Sequence, residues 1–168
     1  TYTPAATSQD VYVPPIPGVI VIPGDIGFLN QFFSVMLMVA NVAPAGSNLV
    51  VSELSASIVL PPGLDNVVGS LDDPLRMART QAGESPRVAA VTQPGADGTL
   101  GTGDDVLTLG PGETGNAEYL VEGLREGAWT VEMEIAGTLN GMPVGPVPIR
   151  GRAAGVVLVR NSSFTLTF

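Results

Sequence analysis

The sequence predicts an all-β chain folded as a sandwich or barrel. Three observations predict it. Short apolar runs alternate with polar residues at the period of a strand. Proline and glycine, 15 and 21 of 168 residues, interrupt the chain too often for long helices. The runs recur at steps of about 8 to 15 residues with turn residues between, which suits about eight to ten short strands. No longer period repeats, so a solenoid is excluded.

The elements follow in order. Residues 1–24 carry Pro4, Pro14, Pro15, Pro17 and Pro23, each of which removes a helix donor, so this arm must run extended. It also carries Val11, Val13, Ile16, Val19, Val21 and Ile22. A greasy extended arm needs a β-surface to lie on, either its own sheet or that of a neighbouring subunit. These six residues are the expected face of a strand donated to another copy. Residues 25–168 are the expected sandwich, with an insertion at about 64–105.

In the run from Gly27 to Val42, Phe33, Val35, Leu37 and Val39 share one strand face. Phe32, Met36, Met38 and Ala40 share the other with Ser34, so both faces are expected to be covered. Leu54, Ala56, Ile58 and Leu60 alternate inward along the strand from Leu49 to Leu60, which Pro61, Pro62 and Gly63 stop. One helical turn is expected over Leu75–Thr80, with Asp72 or Asp73 as its cap and Pro74 at the first position. Short strands are expected over Arg87–Thr92 and Val106–Leu109, with a glycine-aspartate loop, Gly95–Asp105, between them. Ala117, Tyr119 and Val121 point inward from Asn116–Glu122. Trp129, Val131, Met133 and Ile135 do so from Ala128–Leu139. Asn140-Gly141 signals a hairpin, and strands are expected over Val144–Arg152, Gly155–Arg160 and Ser163–Phe168.

Composition excludes several functions. Cysteine, histidine and lysine are absent, so all seven positive charges are arginines. That removes disulfides, thiol and Schiff-base chemistry, and the commonest general base and transition-metal ligand. The net charge of −9 repels nucleic acid and anionic membranes. The longest apolar run, Phe32 to Ala43, is broken by Ser34 and Asn41 and falls short of the roughly 18 to 20 residues of a membrane helix. Charged residues make up 14%, against about 25% in an ordinary soluble domain. With the glycine and proline content, this points to a secreted, extracellular β-protein with much of its surface in contact or tightly turned, and the missing catalytic side chains argue against an enzyme.

The stretch from Leu109 to Val131 reads Leu-Gly-Pro-Gly-Glu113, then Ala117, Tyr119, Gly123-Leu124, Gly127 and Trp129. It resembles the E-to-F region of bacterial immunoglobulin-like and fibronectin-III-like surface domains. Phe33 to Val42, ending Val39-Ala40-Asn41-Val42, resembles their B strand. The resemblance covers roughly 50 residues and implies an immunoglobulin-like β-sandwich with a role in adhesion, spacing or assembly at the cell surface, including filament subunits built from copies of one chain. An adhesion repeat or carbohydrate-binding module of a larger secreted protein is the alternative. Trp129 is expected in the core rather than as a sugar platform, since aromatics are only 5% of the chain.

Asp97-Gly98-Thr99-Leu100-Gly101-Thr102-Gly103-Asp104-Asp105 resembles the Asp/Gly loops of bacterial extracellular proteins for which calcium is implied. Calcium takes about six to eight oxygens, glycines let carbonyls converge, and the aspartates supply charge. Asp97, Asp104, Asp105, Thr99 and Thr102 are therefore the expected ligands of Ca2+, the alternative being a turn without metal. The spacing is not that of an EF-hand. Glu118, Glu122, Glu132 and Glu134 are expected on a solvated face, and Ser34, Ser52 and Ser55 have no base to activate them.

Overall fold

The computed structural model describes residues 18–21 and 26–161, with side chains from residue 27 onward. Eleven strands run through these residues. They are β1 (Gly18–Val21), β2 (Ile26–Phe28), β3 (Phe32–Ala40), β4 (Val50–Val59), β5 (Leu75–Met77) and β6 (Arg79–Thr80). β7 (Gly83–Glu84), β8 (Val88–Ala90), β9 (Thr114–Gly123), β10 (Gly127–Asn140) and β11 (Val147–Arg160) follow. Among the described residues no helix is long and apolar enough to cross a membrane.

Nine strands build two sheets, in the orders β1-β3-β9-β5 and β2-β11-β10-β4-β8, and β6-β7 is a small separate hairpin. Let β1, β3, β4, β5, β9, β10 and β11 be A to G. The sheets then read A-B-E-D and C-F-G, the immunoglobulin-like order. β8 extends the second sheet beside β4, and β2 closes its other edge parallel to β11.

Alternation makes the core. Val35, Leu37 and Val39 from β3 meet Leu54, Ala56 and Ile58 from β4 and Val131, Met133 and Ile135 from β10, all buried. Each of these side chains apart from the small Ala56 contributes about 1.5 to 3 kcal/mol of apolar burial. Tyr119 fills the middle of the core from β9, and its hydroxyl donates across it to the Ala56 carbonyl of the opposite sheet, 2.6 Å away. Trp129 is half-buried at the start of β10, and its Nε1–H donates to the Arg125 carbonyl at 3.0 Å. This is the indole counterpart of the tyrosine corner that fixes the E–F turn in immunoglobulin-like domains. Gly127, at φ +139°, leaves the space that ring occupies; a Cβ there would stand 3.0 Å from it.

The structure differs from several expectations. The helical turn over Leu75–Thr80 is instead the edge strand β5, paired with Val121–Gly123 of β9. Leu75 and Met77 are buried with Arg76 between them pointing out, a period of two. Completing the sheet edge outweighs a cap-and-proline signal, and the Pro74 carbonyl is used by the Leu124 and Arg125 amides. Val106–Leu109 is no strand; Val106 and Leu109 form only isolated bridges to Gln93 and Val51. Val144–Arg152 and Gly155–Arg160 are one strand, β11. Its ladder with β10 runs through Gly151 and Gly155 without a break and overrides the glycines' weak strand preference. The hairpin at Asn140-Gly141 closes over residues 141–146. Segment 64–105 contributes β5 to one sheet and β8 to the other.

Among the described residues the outer face of β3 is only partly covered, with Ser34, Met36 and Ala40 half-buried. Phe32 is 49% exposed and Met38 39%, while Val35, Leu37 and Val39 on the inner face are at 0%. Among the described residues nothing packs over the outer face in the way the second sheet packs over the inner one.

Candidate functional site

The loop between β4 and β5 is held by its own carboxylates. Asp73 is buried and accepts the Gly63 amide at 2.9 Å and the Gly69 amide. Asp72 accepts the Leu64 amide at 2.6 Å, the Asp65 amide at 3.2 Å and the Ser70 hydroxyl. Asp65 accepts the Val67 amide at 2.8 Å. Gly63 permits this closure, because a Cβ there would lie 2.5 Å from Asp72. The Ser70 hydroxyl holds the Asp72 carboxyl below its usual range; burial opposes it, and the Asp65 and Leu64 amides each add a smaller lowering.

Oxygens of Asp65, Asp72 and Asp73 lie within 4.8 Å of one another. Three carboxylates with a serine hydroxyl beside them are hard oxygen donors of the kind a calcium or magnesium ion takes. Sequence reading assigned Asp72 and Asp73 to a helix cap and passed over Asp65. With β5 a strand, there is no helix there to cap. The signal that could have found the cluster is an acidic, glycine-containing loop closed by Pro61-Pro62 on one side and Pro74 on the other.

The residues expected to hold calcium lie in a second loop. Asp97 accepts the Thr99 amide at 2.7 Å, and the Thr99 carbonyl accepts the Thr102 hydroxyl at 3.1 Å. Asp104 accepts the Thr102 hydroxyl at 2.6 Å and the Asp97 amide at 3.2 Å. Asp105 accepts the Gly101 amide at 2.8 Å and the Thr92 hydroxyl at 3.2 Å. The Thr102 hydroxyl, then the Asp97 amide, pull the Asp104 carboxyl below its usual range. The Thr102 hydroxyl also reaches Asp105 at 3.5 Å, so Asp104 and Asp105 share it while Asp97 braces the Thr99 amide. Among the described residues Asp97, Asp104 and Asp105 do not form a group as close as the one at Asp65, Asp72 and Asp73.

Of the arm residues expected to bind a neighbour, Val11, Val13, Ile16 and Ile22 lie outside the described residues. Val19 and Val21 fall in β1, which pairs antiparallel with β3 of the same chain, Val19 opposite Met38 and Val21 opposite Met36. β1 reaches only Met36–Val39 of β3.

The remaining groups are structural. Glu118, Glu132 and Glu134 are exposed as expected, but Glu122 is buried, because the Arg76 Nε–H reaches its carboxylate at 2.7 Å from β5. Ser34 donates to Glu118 on the outer face. Burial pushes the Tyr119 hydroxyl up to about 12.

No protein-family model and no curated protein matches the chain. Solved structures do. The CARDB domain of PF1109 from Pyrococcus furiosus, solved in solution, is 14% identical over 86% of this chain and 93% of its own, with a TM-score of 0.40. The same domain crystallised in complex with di-metal ions is 15% identical over 95% and 100%, with a TM-score of 0.44. AvmM, which catalyses macrocyclization in alchivemycin A biosynthesis, is 10% identical over 90% and 92%, with a TM-score of 0.41.

Proposed function

We propose that this chain is a non-catalytic structural module of an extracellular, cell-surface filament or assembly, built from copies of itself. The N-terminal arm, with Val11, Val13, Ile16, Val19, Val21 and Ile22 as its apolar face, would leave its own β3 and pair with β3 of the next copy. One observation carries this reading. The outer face of β3 is apolar and open at Phe32 and Met38, beside an edge occupied by a strand of four residues. A short terminal edge strand is the part of a sandwich most cheaply exchanged between identical chains. Head-to-tail exchange that does not close on itself produces a filament.

Calcium enters this reading at Asp65, Asp72 and Asp73, whose oxygens converge within 4.8 Å, with the Asp97, Asp104 and Asp105 loop as the second candidate. A cation there would neutralise charge at one end of an acidic sandwich and stiffen the loop leading into β5.

The second reading is an immunoglobulin-like adhesion or carbohydrate-binding module of a larger secreted protein. The pairing of β1 within its own chain favours it. Negative-stain microscopy separates the two. The chain and a variant lacking residues 1–22, which removes β1 with the rest of the arm, are compared, each with calcium and with EDTA. The assembly reading expects filaments from the chain, fewer with EDTA, and folded monomers from the shortened variant. Filaments from that variant, or none from either, would leave the second reading.

A further inference from the structure

We infer that the cavity between the 69–73 loop and the β6–β7 hairpin is a binding site for a compact anionic ligand, one whose carboxylate or other oxyanion carries an apolar group. The inference goes beyond the assembly reading and does not depend on it.

The cavity holds about 300 Å³. Arg76, Arg79 and Arg87 line it, three of the seven cationic side chains in a chain of net charge −9. Arg76 is engaged, since its Nε–H donates to Glu122 at 2.7 Å. Arg79 and Arg87 are held only in longer ion pairs. Both turn to the one carboxylate of Glu84, at 3.7 and 3.8 Å, beyond the roughly 3.2 Å at which an N–H···O bond is made. Among the described residues these two guanidiniums make no side-chain hydrogen bond, although each carries five N–H donors. Glu84 therefore gathers two forks at one place and leaves their donors short of a close hydrogen-bond partner, while Glu84 and Asp73 together balance the charge of the two arginines. Asp73 also lines the cavity and keeps its negative charge there, with its oxygens turned towards the Gly63 and Gly69 amides of its own loop.

An arginine fork with free donors is matched by a planar carboxylate or by a sulfate or phosphate edge, bound through two parallel hydrogen bonds. The rim adds a second preference. Leu71, fully exposed, and Leu124, half-buried, also line the cavity, where an aliphatic group on the ligand would cover them. The site thus selects a small amphipathic acid over a bare inorganic anion.

Titration of the full chain with hexanoate, and separately with sulfate, is followed on the arginine Nε–H resonances by NMR. Saturable shifts of Arg79 and Arg87 are expected with both probes, at several-fold lower concentration for hexanoate. Arg125 and Arg150 should stay still. Arg87→Lys keeps the charge and removes the fork, so affinity should fall about tenfold, worth about 1.4 kcal/mol. Leu71→Ser should erase the preference for hexanoate and spare sulfate. Unsaturated shifts spread evenly over all arginines, or an Arg87→Lys variant that is folded by its Tm and binds as well as the parent, would overturn the site. If Arg87→Lys does not fold, the unaltered chain decides alone, through whether Arg79 and Arg87 saturate.

Discussion

Both faces of β3 are rich in apolar residues, though the outer one carries Ser34, and they meet different environments. Val35, Leu37 and Val39 are sealed against the second sheet, while Phe32 and Met38, one residue out of phase, face outward. Side-chain direction along a strand alternates strictly, so one residue of offset separates the core from the surface. Hydrophobicity therefore identifies residues that need covering but not what covers them. On the inner face the cover is intramolecular. On the outer face the proposed cover is another copy.

Substitutions should separate the faces by magnitude. Leu37→Ala should lose about 3 kcal/mol in urea unfolding, because its site is closed on all sides and cannot collapse fully. A loss under about 1 kcal/mol would mean the inner row is not the core that the burial implies.

Tyr119→Phe is the next largest. It removes the hydrogen bond that joins the sheets and should cost about 1 kcal/mol. The same side chain sets an alkaline limit. Its hydroxyl titrates at about 12 in the folded chain against 10.0 when unperturbed. The folded state holds this proton more tightly, so the contribution is complete below pH 10 and is lost as pH rises towards 12. The Tyr119→Phe variant should show a flatter decline across that window. The acid limb runs the other way. Asp72, Asp104 and Glu113 are held below their usual carboxylate values by hydrogen bonds. Their contribution is present above the ordinary range and disappears as pH falls through their lowered values.

Met38→Ser should be the smallest in stability, within about 0.5 kcal/mol, because its side chain already faces solvent. It should still reduce filament formation, since a hydroxyl cannot supply the apolar contact. A large stability loss from Met38→Ser would show that the outer face is covered within one chain.

Much of the architecture was legible in the sequence, and the reason is alternation. The inward rows on β4, β9 and β10 fall where the period of two puts them, and Trp129 marks the E–F corner. What was not legible depends on partners distant in sequence. β5 is a strand because β9 offers it an edge, and Glu122 is buried because β5 brings Arg76 beside it. The acidic loops show the same limit at the candidate site. The 97–105 loop has the more suggestive spacing of aspartates, yet the loop at 63–73 is the one that folds its carboxylates together. Local spacing supplies charge and glycine. Where the oxygens converge is decided by which backbone amides each carboxylate must satisfy.

The measurement that bears most directly on the assembly proposal is a cross-link between β1 and β3. Val19 and Met38 stand directly opposite in register, and the chain has no cysteine to interfere. Val19→Cys with Met38→Cys, allowed to assemble under reducing conditions and then oxidised, should give a ladder of covalent multimers on a non-reducing gel. Quantitative closure within single chains, with no ladder at any protein concentration, would contradict strand exchange.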